Sequence, residues 1–298
     1  MKIVKTFNEK CAMCLGNFDG IHLAHTEIID SCKGFAKKNN LKSGMLLFDR
    51  HTSEIFGGGT RLLTTQDEKL HILEGLGLDF LYIMHFDEAV SKKEGADFIR
   101  DILKDFSVSA FFVGYDYAFG KGAKYKAEDL KDLGEELGFL TFITPKKSID
   151  GAAISSTRIR EQIKSGDMEE ATRFLGRNYF IKARVKKGFG NGKKLLFPTA
   201  NLDVPENKLL PSDGVYKAIA TVSGKRFKSA VNVGKNPTFN GDKRTVEAHI
   251  IDFSGDLYGE EIKLEFLKKI RDDVKFQNVG DLKEQIKRDL EEVLKLEL

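Results

Sequence analysis

The sequence predicts an α/β domain built on a doubly wound parallel sheet, followed by a six-stranded antiparallel β-barrel with one C-terminal helix. Three observations carry this prediction. The chain has 298 residues, two domains at roughly 150 residues each. Up to about residue 178, short apolar runs alternate with stretches of helical periodicity. From residue 179 the pattern becomes short extended segments broken by Gly, Asn and Asp, with a single late helix. The predicted domains are therefore 1–178 and 179–298.

In the first half, Met13–Gly16, Met45–Phe48, Phe80–Met84, Ala110–Gly114 and Phe139–Ile143 read as strands. Between them, Ile28, Ile29, Cys32, Phe35 and Ala36 share one helical face, as do Phe98, Ile99, Ile102, Leu103 and Phe106. Strands that alternate with helices pair in parallel through right-handed crossovers. Ligands in such sheets sit beyond the carboxyl ends of the strands, so the residues just after each strand matter most. In the second half the extended runs are Tyr179–Lys186, Leu195–Leu202, Gly214–Val222, Phe227–Val233, Thr245–Asp252 and Glu261–Phe266, which suits a small barrel. Val279, Leu282, Ile286, Leu290, Val293 and Leu294 form the stripe of the last helix, with Asn278 as N-cap and Asp281 at the capping-box position.

Hydrophobic residues make up 41% and charged residues 31%, enough for each half to bury a core. The net charge of +3 excludes a histone-like polycation or an acidic disordered tail. It divides as −2 over residues 1–178 and +5 over 179–298, which fits anionic small ligands. Without a basic-aromatic stripe there is no argument for nucleic acid. No apolar run approaches the 18 or so residues of a membrane helix, and MKIVKTFNEK does not read as a secretory signal. No obligate protein partner is indicated. Three cysteines cannot all pair, which points to the reducing cytoplasm. Cys11 and Cys14 are spaced as CxxC, but no second pair exists for zinc and Ala12–Gly16 reads as a strand, so they are expected to be core thiols.

The first predicted strand runs into Gly16-Asn17-Phe18-Asp19-Gly20-Ile21-His22-Leu23-Ala24-His25, and a helix follows. Glycines let backbone amides approach a phosphate, and the helix N-terminus adds partial positive charge. His22 and His25, three apart in the first turn, can both face that phosphate and donate to charge developing on it. The rival is a zinc site made by Asp19, His22 and His25, against which the glycine turn and helix start favour an anion. At the far end, Ile154-Ser155-Ser156-Thr157-Arg158-Ile159-Arg160 is an ordinary helix start on its hydroxyls alone, and a polyphosphate clamp with its two arginines. Gly114-Tyr115-Asp116-Tyr117-Ala118-Phe119-Gly120-Lys121 follows a strand and is a third candidate, or simply a glycine-rich loop.

The order GNFDGIHLAH, GYDYAFGK, ISSTRIR and then LGR closely resembles the bacterial bifunctional riboflavin kinase/FAD synthetase family, over nearly the whole chain. The resemblance implies a nucleotidylyltransferase fold for the first half, with FMN and ATP giving FAD and pyrophosphate. His22 and His25 match the family's histidines and would stabilise the transition state, assisted by Mg²⁺. Gly16, Phe18, Asp19 and Gly20 would belong to the ATP site, and Ser156, Thr157 and Arg160 would hold the departing pyrophosphate. Asp49, Gly114 and Asp116 fall in loops that lie near the flavin and adenine pockets in the family. Three departures stand out: Ala24 replaces the glycine of His-x-Gly-His, Arg50 and Thr52 replace two prolines around His51, and Ala118 replaces a loop arginine. They are expected to alter flavin affinity sooner than abolish activity.

In the second half, Gly188, Gly190 and Gly192 alternate ahead of Lys193 and Lys194, without Walker spacing. They read as a phosphate flap or as a hairpin loop. Pro198-Thr199-Ala200-Asn201 places two neutral oxygen ligands on one face of a strand, suited to Mg²⁺ beside ATP phosphates. Glu247, within a strand-like run, is either a solvated acid or a general base. FPTANL, DGVY, NVGKNPTF, VEAHIIDF, DLYG and IRDDVKF stand in the riboflavin kinase order. The resemblance implies that Gly188, Gly190, Gly192 and Lys193 contact ATP, and that Thr199 and Asn201 bind Mg²⁺–ATP. It also implies that Glu247 deprotonates the ribityl 5′-hydroxyl and that Arg271 lies in the segment closing over the flavin. The ligands expected are riboflavin, FMN, FAD and ATP. Rival readings are a chain that keeps the kinase alone and a non-catalytic flavin- or nucleotide-binding regulator, and Glu247 speaks against the second.

Overall fold

The computed structural model describes every residue except 56–58, 187–197, 236–243, 277 and 298. It divides into two compact units, Met1–Ser156 and Thr157–Leu298.

In the first unit the strands are β1 (Lys2–Val4), β2 (Phe7–Leu15), β3 (Lys42–Phe48), β4 (Phe80–Met84) and β5 (Phe106–Gly114). Next come the small strands β6 (Ala118–Phe119) and β7 (Tyr125–Lys126), then β8 (Leu140–Thr144), then the pair β9 (Ser148–Ile149) and β10 (Ala152–Ala153). The helices are α1 (Leu23–Lys38), α2 (Thr52–Ile55), α3 (Gln66–Glu74), α4 (Glu88–Ser91), α5 (Gly95–Asp105), α6 (Ala127–Leu137) and α7 (Ser156–Ser165), whose first residue closes the unit.

The six-stranded sheet has the order β1-β4-β3-β2-β5-β8, and every pair is parallel. Alternation along β2 divides the core. Ala12 and Cys14 meet Ile28, Ile29, Cys32 and Ala36 of α1 on one face. Met13 and Leu15 meet Phe98, Ile99 and Ile102 of α5 and Leu130 of α6 on the other. Each of these Ile, Leu, Phe and Met side chains, fully buried, stabilises the fold by roughly 1.5–3 kcal/mol. The three cysteines are buried free thiols, as expected for Cys11 and Cys14, and burial pushes Cys11 up to about 12. From β2 the chain winds outward through β3 and β4, then returns to place β5 and β8 on the other side. The order therefore reverses between β2 and β5, the place where sheets of this kind bind ligands in a crevice beyond their strand ends.

The second unit holds α8 (Met168–Leu175) and a closed barrel. Its strands are β11 (Tyr179–Lys186), β12 (Ala200–Asp203), β13 (Gly214–Val222), β14 (Lys225–Lys235), β15 (Arg244–Ile250) and β16 (Glu261–Arg271), in the order β11-β12-β15-β14-β13-β16. All six pairings are antiparallel. Ala200, Ala248, Val231 and Tyr216 form one buried cross-strand row. The adjacent row, one residue along each strand, lies on the opposite face of the pleat.

The last helix, α9 (Val279–Leu294), begins at Asn278, whose side chain accepts the Asp281 amide as expected. The reciprocal half of the capping box differs: the Asn278 side-chain amide donates to the Asp281 carboxylate. The buried stripe also differs from expectation. Val279 and Leu294 are exposed at the helix ends, and Asp289 is buried beside Val293 because it pairs with an arginine on β16. The run Leu195–Leu202 is a strand only from Ala200, and residues 195–197 lie outside the described residues. No helix among the described residues is long and apolar enough to cross a membrane.

Candidate functional sites

Leu15 and Gly114 end the two strands that flank the order reversal, so the turn after β2 and the loop after β5 meet the crevice. In the turn, Phe18 and Ile21 hold positive φ angles of 45° and 40°, a strained backbone for side-chain-bearing residues. Gly20 has φ 87°, and a Cβ there would come within 2.8 Å of Leu63. The Gly20 amide donates to Thr64 Oγ1 at 3.0 Å. What Gly20 contributes is therefore its conformation, and its amide is not one of those offered to a phosphate. Asp19 is 3% exposed, and its carboxylate accepts from the Leu63 and Thr64 amides, each at 3.1 Å. It thereby fastens the turn to the segment before α3. Among the described residues no group of three or more His, Cys, Asp or Glu side chains is arranged to hold a metal ion.

His22 caps α1, its Nδ1 accepting the His25 amide at 3.3 Å. An accepting Nδ1 leaves the ring proton of the neutral imidazole on Nε2. The two rings stack with centroids 3.6 Å apart and planes 13° from parallel, and Phe18 meets His25 edge-on at 5.1 Å. Both histidines therefore stand at the positive end of α1, next to the crevice. Ser156 Oγ donates to the Asp19 carbonyl at 2.8 Å, joining the ISSTRIR motif to the turn across 137 residues. Thr157 and Arg160 belong to the second unit and share a face of α7, whose Ile159 and Ile163 are buried.

Asp49 follows β3. Burial acts to raise its carboxyl, and hydrogen bonds from the Phe86 amide at 3.0 Å and from His85 at 2.5 Å more than offset this, so its pKa lies below the ordinary value. Asp116 is exposed, and its Oδ1 lies 3.0 Å from where a Gly114 Cβ would sit, so a side chain at Gly114 would displace it. Thr52, one of the departures from the family pattern, accepts from Asn17 Nδ2 at 3.2 Å.

Gly188, Gly190, Gly192 and Lys193 lie outside the described residues. The other kinase candidates gather on the second face of the barrel wall. One row of paired residues runs Lys186, Asn201, Glu247, Asn232, Val215 and Arg271, one from each strand. Thr199 and Asn201 flank the buried Ala200, and Thr199 Oγ1 donates to Glu247 Oε2 at 3.4 Å. Burial raises the Glu247 carboxyl above its ordinary value of 4.5, with the Thr199 hydrogen bond acting against it. A carboxylate of raised basicity beside two neutral oxygen donors can take a proton from a hydroxyl while holding a hard cation nearby. His249, two residues along on the same face, bonds the Pro198 carbonyl through Nδ1 at 2.8 Å and so fixes the entry to β12. Arg271 closes the row on β16. Its guanidinium is held by Asp289 of α9.

Several residues here escape a reading of the sequence alone. Asn232 shows its place only through pairing with β15. Thr64 and Lys69 reach the turn only through the tertiary path of the chain. The capping box of Thr65 and Glu68, which starts α3, is signalled by its T-x-x-E spacing.

Two family descriptions match the chain: FAD synthetase over residues 4–158 and riboflavin kinase over residues 175–296. Curated relatives named bifunctional riboflavin kinase/FMN adenylyltransferase are similar over nearly the full length. The one from Bacillus subtilis is 31% identical, covering 98% of this chain and 94% of the relative. The one from Haemophilus influenzae is 34% identical, covering 94% and 92%. A crystal structure described as a macrolide-efflux protein from Streptococcus pneumoniae has a TM-score of 0.87 and 29% identity, covering 99% of both chains.

Proposed function

Because the chain belongs to the bifunctional riboflavin kinase/FMN adenylyltransferase family and is an enzyme with both activities, we propose that residues 179–298 phosphorylate riboflavin and residues 1–178 adenylylate the resulting FMN. The first reaction converts riboflavin and ATP to FMN and ADP. The second converts FMN and ATP to FAD and pyrophosphate. The observation that carries this assignment is a pair of separate sites: stacked histidines at the N-terminus of α1, and Glu247 beside Thr199 and Asn201 on the barrel.

In the kinase site, Glu247 accepts the proton of the ribityl 5′-hydroxyl as that oxygen attacks the γ-phosphorus of ATP. Its raised basicity supports the role. Thr199 and Asn201 offer two neutral oxygen ligands that fit Mg²⁺, and Thr199 keeps lone pairs for a cation while donating its proton to Glu247. Mg²⁺ would neutralise charge on the ATP phosphates. Gly188, Gly190, Gly192 and Lys193 keep the role of contacting ATP that the resemblance to the family implies. Arg271 acts on the flavin side by fixing the end of β16, since its guanidinium is bound to Asp289.

In the adenylyltransferase site, the FMN phosphate attacks the α-phosphorus of ATP in line, with no covalent enzyme intermediate. His22 and His25 donate to the charge that develops there, supported by the positive end of α1. Gly16, Phe18 and Gly20 shape the turn, and Asp19 holds it in place. Thr157 and Arg160 take the pyrophosphate, Ser156 holds the Asp19 carbonyl with its hydroxyl, and Asp49, Gly114 and Asp116 border the flavin and adenine. The three buried free thiols favour a cytoplasmic location.

The test is a product assay on the purified full-length protein with riboflavin, ATP and Mg²⁺. The expected result is FMN followed by FAD. FMN alone would leave only the kinase, and flavin binding without turnover would leave a regulator.

A further inference from the structure

We propose that Lys69 is a positioning residue of the adenylyltransferase site, holding the Asn17 carbonyl in place and setting a buried positive charge behind the turn that receives the ATP phosphates. The inference rests on the adenylyltransferase reading of this unit.

Lys69 lies on α3 and is 8% exposed. Its Nζ donates to the Asn17 carbonyl at 2.9 Å, and among the described residues it has no other hydrogen-bond partner and no ion pair within 4.0 Å. Burial pulls its pKa down, and the charge of Asp19 acts in the opposite direction. The Asp19 carboxylate is itself held by the Leu63 and Thr64 amides. An ammonium buried with so little compensation is costly to the fold. A hydrophobic side chain of the same length would fill the space at lower cost, so the charge calls for a reason outside stability.

The position supplies that reason. Asn17 sits between Gly16 and Phe18 in the turn that leads to His22 and His25. A carbonyl swung toward the crevice would oppose an incoming anion. Lys69 prevents this by binding the carbonyl, while Thr52 holds the Asn17 side chain. The lysine is presented by a firmly started helix, because Thr65 and Glu68 form a reciprocal capping box. Its charge is thus fixed in a poorly solvated place, where it acts on a polyphosphate more strongly than a surface lysine does.

The test uses full-length Lys69→Met and Lys69→Gln, with Lys69→Arg as the charge-preserving control. FMN-to-FAD rates are measured with ATP and FMN varied separately, Mg²⁺–ATP binding is followed by calorimetry, and riboflavin phosphorylation and melting temperature are read on the same preparations. The expected result is at least a tenfold rise in the KM for ATP in the Met variant, with the KM for FMN within about twofold of the parent. The melting temperature should be unchanged or higher, and the Arg variant should recover part of the ATP affinity. An unchanged ATP KM in a folded Met or Gln variant would overturn the proposal. So would equal losses toward ATP and FMN together with a lowered melting temperature, which is the signature of a purely structural lysine. If the Met variant loses kinase activity as well through misfolding, the Gln variant decides by the same criterion. Absence of FAD synthesis in the parent would instead refute the adenylyltransferase reading.

Discussion

Arg271 grips Asp289 through three hydrogen bonds of 2.8–3.0 Å, its Nε reaching both carboxylate oxygens and its Nη2 one of them. The carboxylate also accepts from Gln285 Nε2 at 2.9 Å, and the Asp289 side chain is only 5% exposed. The pair ties the end of β16 to α9, and the segment after Arg271 starts from that anchor. Removing one partner leaves the other buried and uncompensated, which costs about 3–5 kcal/mol for a buried pair. Asp289→Ala is therefore expected to lower the stability of the barrel unit by that order in urea denaturation and to raise the KM for riboflavin. An unchanged unfolding midpoint would remove the pair from its anchoring role.

Glu247→Gln should reduce FMN formation by at least about a hundredfold, the low end of general-base contributions. Conversion of supplied FMN to FAD should stay near normal. Product analysis on one preparation reads both, and unimpaired phosphorylation would exclude Glu247 as the base.

The same substitution carries a pH prediction. Burial raises the folded-state pKa of Glu247 above 4.5, so the folded protein binds this proton more tightly than the unfolded chain does. The cost of the buried charge is then full above the folded value and disappears below 4.5. Glu247→Gln should melt higher than the parent at neutral pH, and the advantage should vanish on acidification. A constant difference at every pH would contradict the linkage.

Thr199 lowers the Glu247 pKa through its hydrogen bond. Thr199→Val should move the acid limb of the kinase pH–rate profile to higher pH, whereas Thr199→Ser should leave it in place. A slower enzyme with an unmoved acid limb in the Val variant would show that the hydroxyl serves only in binding.

His25→Ala should slow FAD synthesis by about 10²–10³, as for loss of one donor to developing charge, with riboflavin phosphorylation kept. His22→Ala should add a stability loss of about 1 kcal/mol, since His22 also caps α1. Equal melting temperatures for the two variants would refute the capping contribution.

Much of the fold is legible in local sequence. Phe80–Met84, Tyr179–Lys186 and Gly214–Val222 are strands with the bounds that their apolar runs predict. The run at Ala110 extends back to Phe106, because its upstream residues alternate in burial and so lack a continuous apolar signature. The stripe on α9 departs from its pattern at both ends, which lie exposed, and an ion pair from a distant strand draws Asp289 inward. At the sites, the residues contiguous in the chain are recognisable: the glycine turn, His22, His25, and Thr199 with Asn201.

By itself the sequence determined the two architectures and the chemical groups on offer, because hydrophobic periodicity and adjacent motifs depend on neighbours along the chain. Tertiary structure alone decided which of those groups remain available. The Gly20 amide, the Asp19 carboxylate and the Arg271 guanidinium are all engaged by partners 18 to 45 residues away. Such partners are brought into reach by the folded path, and a hydrogen bond satisfied inside the protein is one that a ligand no longer receives.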